Sequence, residues 1–140
     1  MIVRKALIYA LSRQGLLVFD EPDFPDIPIQ IPGGTVDPGE TVDAAARREF
    51  FEETGLDHAD GFHFLGTAAH DRERDGKIAV IERHFFRTQR PDDLPPRWDH
   101  VENFPSHGGP PIRMHLFWLG LAEARARLAP GLDACLDRLG

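Results

Sequence analysis

Three carboxylates, Glu49, Glu52 and Glu53, stand at positions i, i+3 and i+4 in a chain of 140 residues. On an α-helix that spacing gathers them on one face, within an arc of roughly 100°. Like charges placed three and four residues apart repel one another, so such a face is costly unless something positive sits in front of it. A hard divalent cation is the natural occupant. It takes oxygen ligands, and Mg²⁺ in particular keeps several waters while joining carboxylates to substrate phosphates.

The residues around the three acids specify how they are held. Gly33 and Gly34 read as a turn that permits backbone conformations or close approaches forbidden to a Cβ, and Asp37-Pro38-Gly39 reads as a second tight turn. Thr41 is suited to cap the helix, Asp43 lies in its first turn, and Gly55 ends it with Leu56 beyond as a hydrophobic contact. Glu40 lies just outside the helix, where the loop can fold it back toward the other acids. Arg48, one turn before Glu52, is placed to pair with it. Apolar residues flank the charged stripe on both sides, Ala46 and Phe50 on one and Ala44 and Phe51 on the other. That pattern predicts a helix packed between two layers.

The run from Gly34 through Glu40, Arg48-Glu49-Phe50, Glu52-Glu53 and Gly55-Leu56 resembles the complete Nudix box, with no departure at any signature position. The resemblance implies an α+β fold, a Nudix-type α/β/α sandwich with a mixed β-sheet, formed by one domain over residues 1–140. It implies a hydrolase that cleaves a phosphoanhydride in a nucleoside diphosphate linked to another moiety. Its cofactor would be Mg²⁺ or Mn²⁺, held by Glu49, Glu52 and Glu53 with the Gly34 carbonyl, and Arg48 would orient the glutamates. The general base would be Glu49 or a carboxylate from a late loop. The substrate would be a small nucleotide: a nucleoside triphosphate, oxidised or not, ADP-ribose, a dinucleoside polyphosphate or a nucleotide sugar. The alternative is a Nudix-like module that binds nucleotides without catalysis, but such modules typically lack box glutamates, and all are retained here.

Composition narrows the surroundings. The chain is long enough to bury a core, is 41% apolar, and contains ten phenylalanines. A formal charge of −7 argues against extended nucleic acid, whose binding needs a basic surface, but not against a small phosphorylated ligand met by cations and a few arginines. The single cysteine, Cys135, excludes an intramolecular disulfide. No signal-peptide core and no apolar run long enough for a membrane span is present, so the expectation is a cytoplasmic monomer or homodimer.

Elsewhere, residues 3–11 and 16–19 read as a β-hairpin around Ser12-Arg13-Gln14-Gly15, and Ile29-Gln30-Ile31 as a short strand entering the glycine turn. Residues 61–69 read as a strand, 70–76 as a charged turn, and 77–87 as the clearest strand in the chain. In that last strand Glu82 interrupts an apolar face as a candidate site residue. Residues 90–111 read as a long irregular stretch of the kind that carries function, offering Asp99 and Glu102 as further candidate carboxylates. Residues 112–119 read as a final strand, followed by two short helices over 121–128 and 132–139. Tyr9, Phe19, Phe24, Trp98 and Phe104 are the aromatics available to stack on a base.

Overall fold

The computed structural model describes residues 1–57, 61–103, 105 and 108–139. Seven strands form one sheet: β1 (Ile2–Ser12), β2 (Gly15–Asp20), β3 (Gly33–Thr35), β4 (Phe62–Arg74), β5 (Lys77–Gln89), β6 (Arg97–Glu102) and β7 (Ile112–Leu119). They are ordered β4-β5-β1-β2-β7-β6, with β3 also paired to β1. The β1–β5 pair is parallel, in register from Ile2 against Val80 to Leu11 against Gln89, and the remaining pairs are antiparallel. The sheet is therefore mixed, and the fold is α+β, as expected.

Alternation along the strands sorts the core into two layers. Ala6, Ile8 and Ala10 of β1, Leu17 and Phe19 of β2, and Met114 and Leu116 of β7 share one face with Ala45, Ala46 and Phe50 of α1 (Val42–Thr54). Leu7, Tyr9, Leu16, Val18 and Phe85 share the other with Ala124 of α2 (Leu121–Arg127) and with Leu132, Cys135 and Leu136. On that second face Tyr9 stacks on Phe85 at 5.4 Å. Its hydroxyl donates to the Leu132 carbonyl at 2.7 Å and accepts from the Cys135 N–H at 3.1 Å, which ties the C-terminal segment to the sheet.

Several local readings need correction. The β1–β2 hairpin closes over Arg13 and Gln14 but pairs only Leu11 with Leu16 and Ser12 with Gly15, because β3 takes the rest of that edge of β1. Gly33 and Gly34 are strand residues and not a turn; neither has a left-handed φ. Ile29 and Gln30 make only isolated bridges, to Leu128 and Phe19. The charged residues 70–74 continue β4, and the turn is the two-residue Asp75-Gly76, both left-handed as a tight hairpin requires. Their charges lie on an edge strand that is mostly exposed at this end, so polarity there does not mean a loop. Residues 90–111 are not irregular throughout, since they contain β6, paired along its whole length with β7. The second C-terminal helix is reduced to a single 3₁₀ turn, Leu136–Leu139.

Candidate active site

The box helix α1 begins and ends as its sequence dictates. The Thr41 hydroxyl accepts from the Ala44 N–H at 3.1 Å, and Gly55 closes the helix at φ 77°. Only one flank is buried. Ala45, Ala46 and Phe50 are fully enclosed, with Phe50 edge-on to Phe62 at 5.5 Å, whereas Ala44 and Phe51 face outward. The expected packing between two layers is therefore wrong: α1 covers a single sheet face. Its last turn is held by β6. Trp98 donates from Nε1 to the Thr54 carbonyl at 3.0 Å and His100 from Nε2 to the Glu52 carbonyl at 2.7 Å, satisfying acceptors that a helix C-terminus leaves open.

Burying Phe50 on this flank brings its neighbours with it. Glu49 is 2% exposed and Glu53 is also buried. Gly34 gives the reason for its lack of a side chain: a Cβ there would collide with the Glu49 carboxylate. Glu53 accepts from the Gly33 N–H at 2.6 Å, so both glycines of the pair serve the acids, one by leaving room and one by donating.

Arg48 organises the cluster. Its guanidinium spans both oxygens of Glu40, Nε at 2.8 Å and Nη2 at 2.9 Å, and reaches Glu49 at 2.9 Å and Glu52 at 3.2 Å through Nη1. Nη2 also donates to the Thr35 carbonyl at 3.1 Å. The planar fork thereby fixes three carboxylates and a strand in one arrangement. Glu40 also accepts from the Asp37 N–H at 3.1 Å, which closes the loop back onto the helix, and its carboxyl is held below the usual range chiefly by Arg48.

The acids that face inward behave oppositely. Burial pushes the Glu49 carboxyl up to about 7, against the pull of Arg48. Burial also raises Glu53 and Glu102, and each acid's charge is further disfavoured by neighbouring carboxylates. Glu49, Glu52 and Glu102 can each present one oxygen within 4.8 Å of the others. Glu53 borders this group through Glu102. The donors are all carboxylate oxygens, the set a hard divalent cation takes, and the accumulated negative charge is what such a cation would relieve. The residues present therefore fit Mg²⁺ or Mn²⁺.

The two late carboxylates part company here. In β6, Trp98, His100 and Glu102 face α1, whereas Asp99 points to the opposite side and bonds to His115 at 2.9 Å. Glu82 pairs with Arg4 at 3.6 Å and His84 at 3.1 Å, outside the carboxylate group. Of the aromatics, Tyr9 is core and Trp98 is committed to Thr54, while Phe24 is exposed. Phe104 lies outside the described residues. Phe19 alone among the described candidates lines the cavity of about 320 Å³ beside these acids, with Lys5, Glu21, Gln30, Glu49, Glu53, Glu102 and Met114 also on its walls. Lys5, Glu21 and Gln30 had no signal of their own. Glu102 had one, because reading residues 97–102 as a strand places it on the same face as Trp98.

Similarity to known proteins decides the family. A family model of the NUDIX domain matches residues 1–139. The chain belongs to the Nudix family. An oxidized purine nucleoside triphosphate hydrolase of Danio rerio is 34% identical over 80 residues, which cover 52% of this Nudix chain and 49% of that protein, so the match spans about half the length of this curated relative. In fold, the chain resembles the MutT NUDIX hydrolase of Burkholderia pseudomallei (TM-score 0.65, 18% identity, covering 100% of this chain and 99% of the other). It also resembles the Ap4A hydrolase of C. elegans (TM-score 0.60, 20% identity, 99% and 96%). Among the described residues no helix is long and apolar enough to cross a membrane.

Proposed function

We propose that this Nudix protein is a divalent-cation-dependent hydrolase that cleaves a phosphoanhydride bond in a small nucleoside diphosphate derivative. One observation carries the proposal: Glu49, Glu52 and Glu102 converge within 4.8 Å beside a cavity that also contains Glu53, while Arg48 fixes the first two. Glu49, Glu52 and Glu102 would hold the cation, with Glu53 and the Gly34 backbone next to it. When bound, Mg²⁺ or Mn²⁺ neutralises phosphate oxygens and makes water a better nucleophile.

The remaining work falls to the chain. Phosphoanhydride cleavage needs positioning and charge neutralisation more than covalent chemistry. Arg48 holds Glu49 and Glu52 in fixed rotamers. Glu49, which Arg48 orients through one carboxylate oxygen, accepts the proton of the attacking water. Phe19 and Gln30 form the part of the cavity wall where a nucleoside fits. The products are a nucleoside monophosphate, or its equivalent, and a phosphorylated remainder. The likeness to the oxidized purine nucleoside triphosphate hydrolase of Danio rerio supports this class.

The test is release of phosphate, pyrophosphate or monophosphate across nucleoside triphosphates, 8-oxo purine triphosphates, ADP-ribose, dinucleoside polyphosphates and nucleotide sugars, with Mg²⁺ and with Mn²⁺. Turnover of at least one, abolished by chelator, is expected. Folded protein that binds nucleotides but turns none over moves the function to the non-catalytic nucleotide-binding module.

A further inference from the structure

The turn end of the β4–β5 hairpin gathers cations that nothing around them answers. Arg72 lies opposite Ala79 and Arg74 opposite Lys77, so alternation puts all four on one face, while Asp71 and Glu73, opposite Val80 and Ile78, take the other. Arginines elsewhere on this acidic chain find carboxylates, as Arg113 finds Asp23 and Arg127 finds Glu123. Among the described residues, the side chains of Arg72, Arg74 and Lys77 make no hydrogen bond or ion pair, and Nε of Arg72 is buried without a partner. Like charges directly opposite on a ladder repel, so Arg74 and Lys77 weaken the hairpin they close unless an anion sits against them.

The three cations line a hollow of about 570 Å³ that shares no wall residue with the cavity beside the acids. Ala79, small and buried, leaves space between them. Met1 is held alongside by the bond from the Val80 N–H to its carbonyl at 2.9 Å, and with Ile78 it supplies an apolar edge, the two being 87% and 64% exposed. Asp75, in the turn, is the one acid on the walls. Such a concave patch favours a compact anion. A phosphate group has enough acceptor oxygens to face three cations at once, and a guanidinium fork matches two of them. An extended nucleic-acid backbone would instead run off the patch onto a chain of net charge −7. We infer that this hollow is a second, non-catalytic binding site for a small phosphorylated ligand, with its phosphates on Arg72, Arg74 and Lys77 and its organic end on Met1 and Ile78. The site does not depend on the chemistry proposed at the carboxylates.

The test titrates the whole chain with inorganic pyrophosphate, a probe of the charged end, and with ADP, a probe of both ends, following backbone amide shifts. Chelator is present throughout, so the converging acids hold no cation and repel phosphate. Both probes should give saturable shifts centred on residues 72–79, with ADP about threefold tighter through its organic end. The double variant Arg72→Ala/Arg74→Ala should lose about tenfold or more for both probes, and Lys77→Ala, on the other strand, should lose affinity in the same sense. Melts of these variants should stay level or rise, since each removes a like-charge repulsion. Ile78→Ser should narrow the lead of ADP and leave pyrophosphate unchanged. Shifts confined to the cavity beside the acids, or undiminished binding by the double variant, overturn the site. So does a wild type that ignores both probes yet binds anionic lipid vesicles or RNA through the same arginines, because the partner would then be a macromolecule.

Discussion

The two faces of this sheet are packed from the same materials and put to different uses. On the α2 face, Tyr9, Leu16, Val18, Phe85 and Leu136 make an apolar layer whose buried hydroxyl, that of Tyr9, finds both a donor and an acceptor. On the α1 face, an equally buried layer of Ala45, Ala46 and Phe50 carries Glu49 and Glu53 into the interior with it. Burying a charge is expensive unless it is paired, and here it is paired incompletely. Arg48 answers Glu40, Glu49 and Glu52 from one side, while the inward acids meet one another. The first face is arranged for stability, and the second holds a deficit that a cation would fill.

The largest expected effect breaks the second face without harming the first. Glu53→Gln preserves shape and can still accept from the Gly33 N–H, but removes a negative charge from a crowded site. Activity should fall by orders of magnitude while metal-free thermal melts stay level or rise slightly. A variant that melts well below wild type yet retains full activity per folded molecule would mean the acidic face is structural. Phe50→Ala inverts the outcome, because Phe50 is fully enclosed. It should cost about 3–5 kcal/mol in denaturant titrations and reduce activity only by depleting folded protein. Tyr9→Phe sharpens the contrast from the α2 face. It strands the Cys135 N–H and the Leu132 carbonyl, so a loss of about 1–3 kcal/mol is expected with kcat and KM unchanged.

Much of the α1 face was legible in the sequence because its determinants are local. A cap at Thr41, a stop at Gly55 and the i, i+3, i+4 acids each act within a turn or two of helix. What failed depended on partners distant in the chain. Gly33 and Gly34 look like a turn until β1 is beside them, and only the approach of Glu49 explains why Gly34 lacks a side chain. The outward position of Phe51 could not be told from the inward position of Phe50, because both neighbour the charged stripe and only the sheet breaks the tie. Residues 97–102 hid a strand among prolines, and with it the parity that separates Glu102 from Asp99. Lys5 and Gln30 join the cavity beside the acids through strand pairing that no short window contains.

If the buried acids are arranged for a cation, stability against pH with and without one shows it most directly. Burial raises Glu49 to about 7 and also raises Glu53 and Glu102, so these groups favour folding while protonated. That contribution is whole below their unfolded values and is lost as pH climbs through the folded ones. Metal-free melting temperature should therefore drop between about pH 5 and about pH 8, less steeply in Glu49→Gln, and Mn²⁺ should restore it at the upper end while adding little at the lower. A melting temperature that rises across this interval, indifferent to Mn²⁺ and unchanged in slope by Glu49→Gln, would contradict that arrangement.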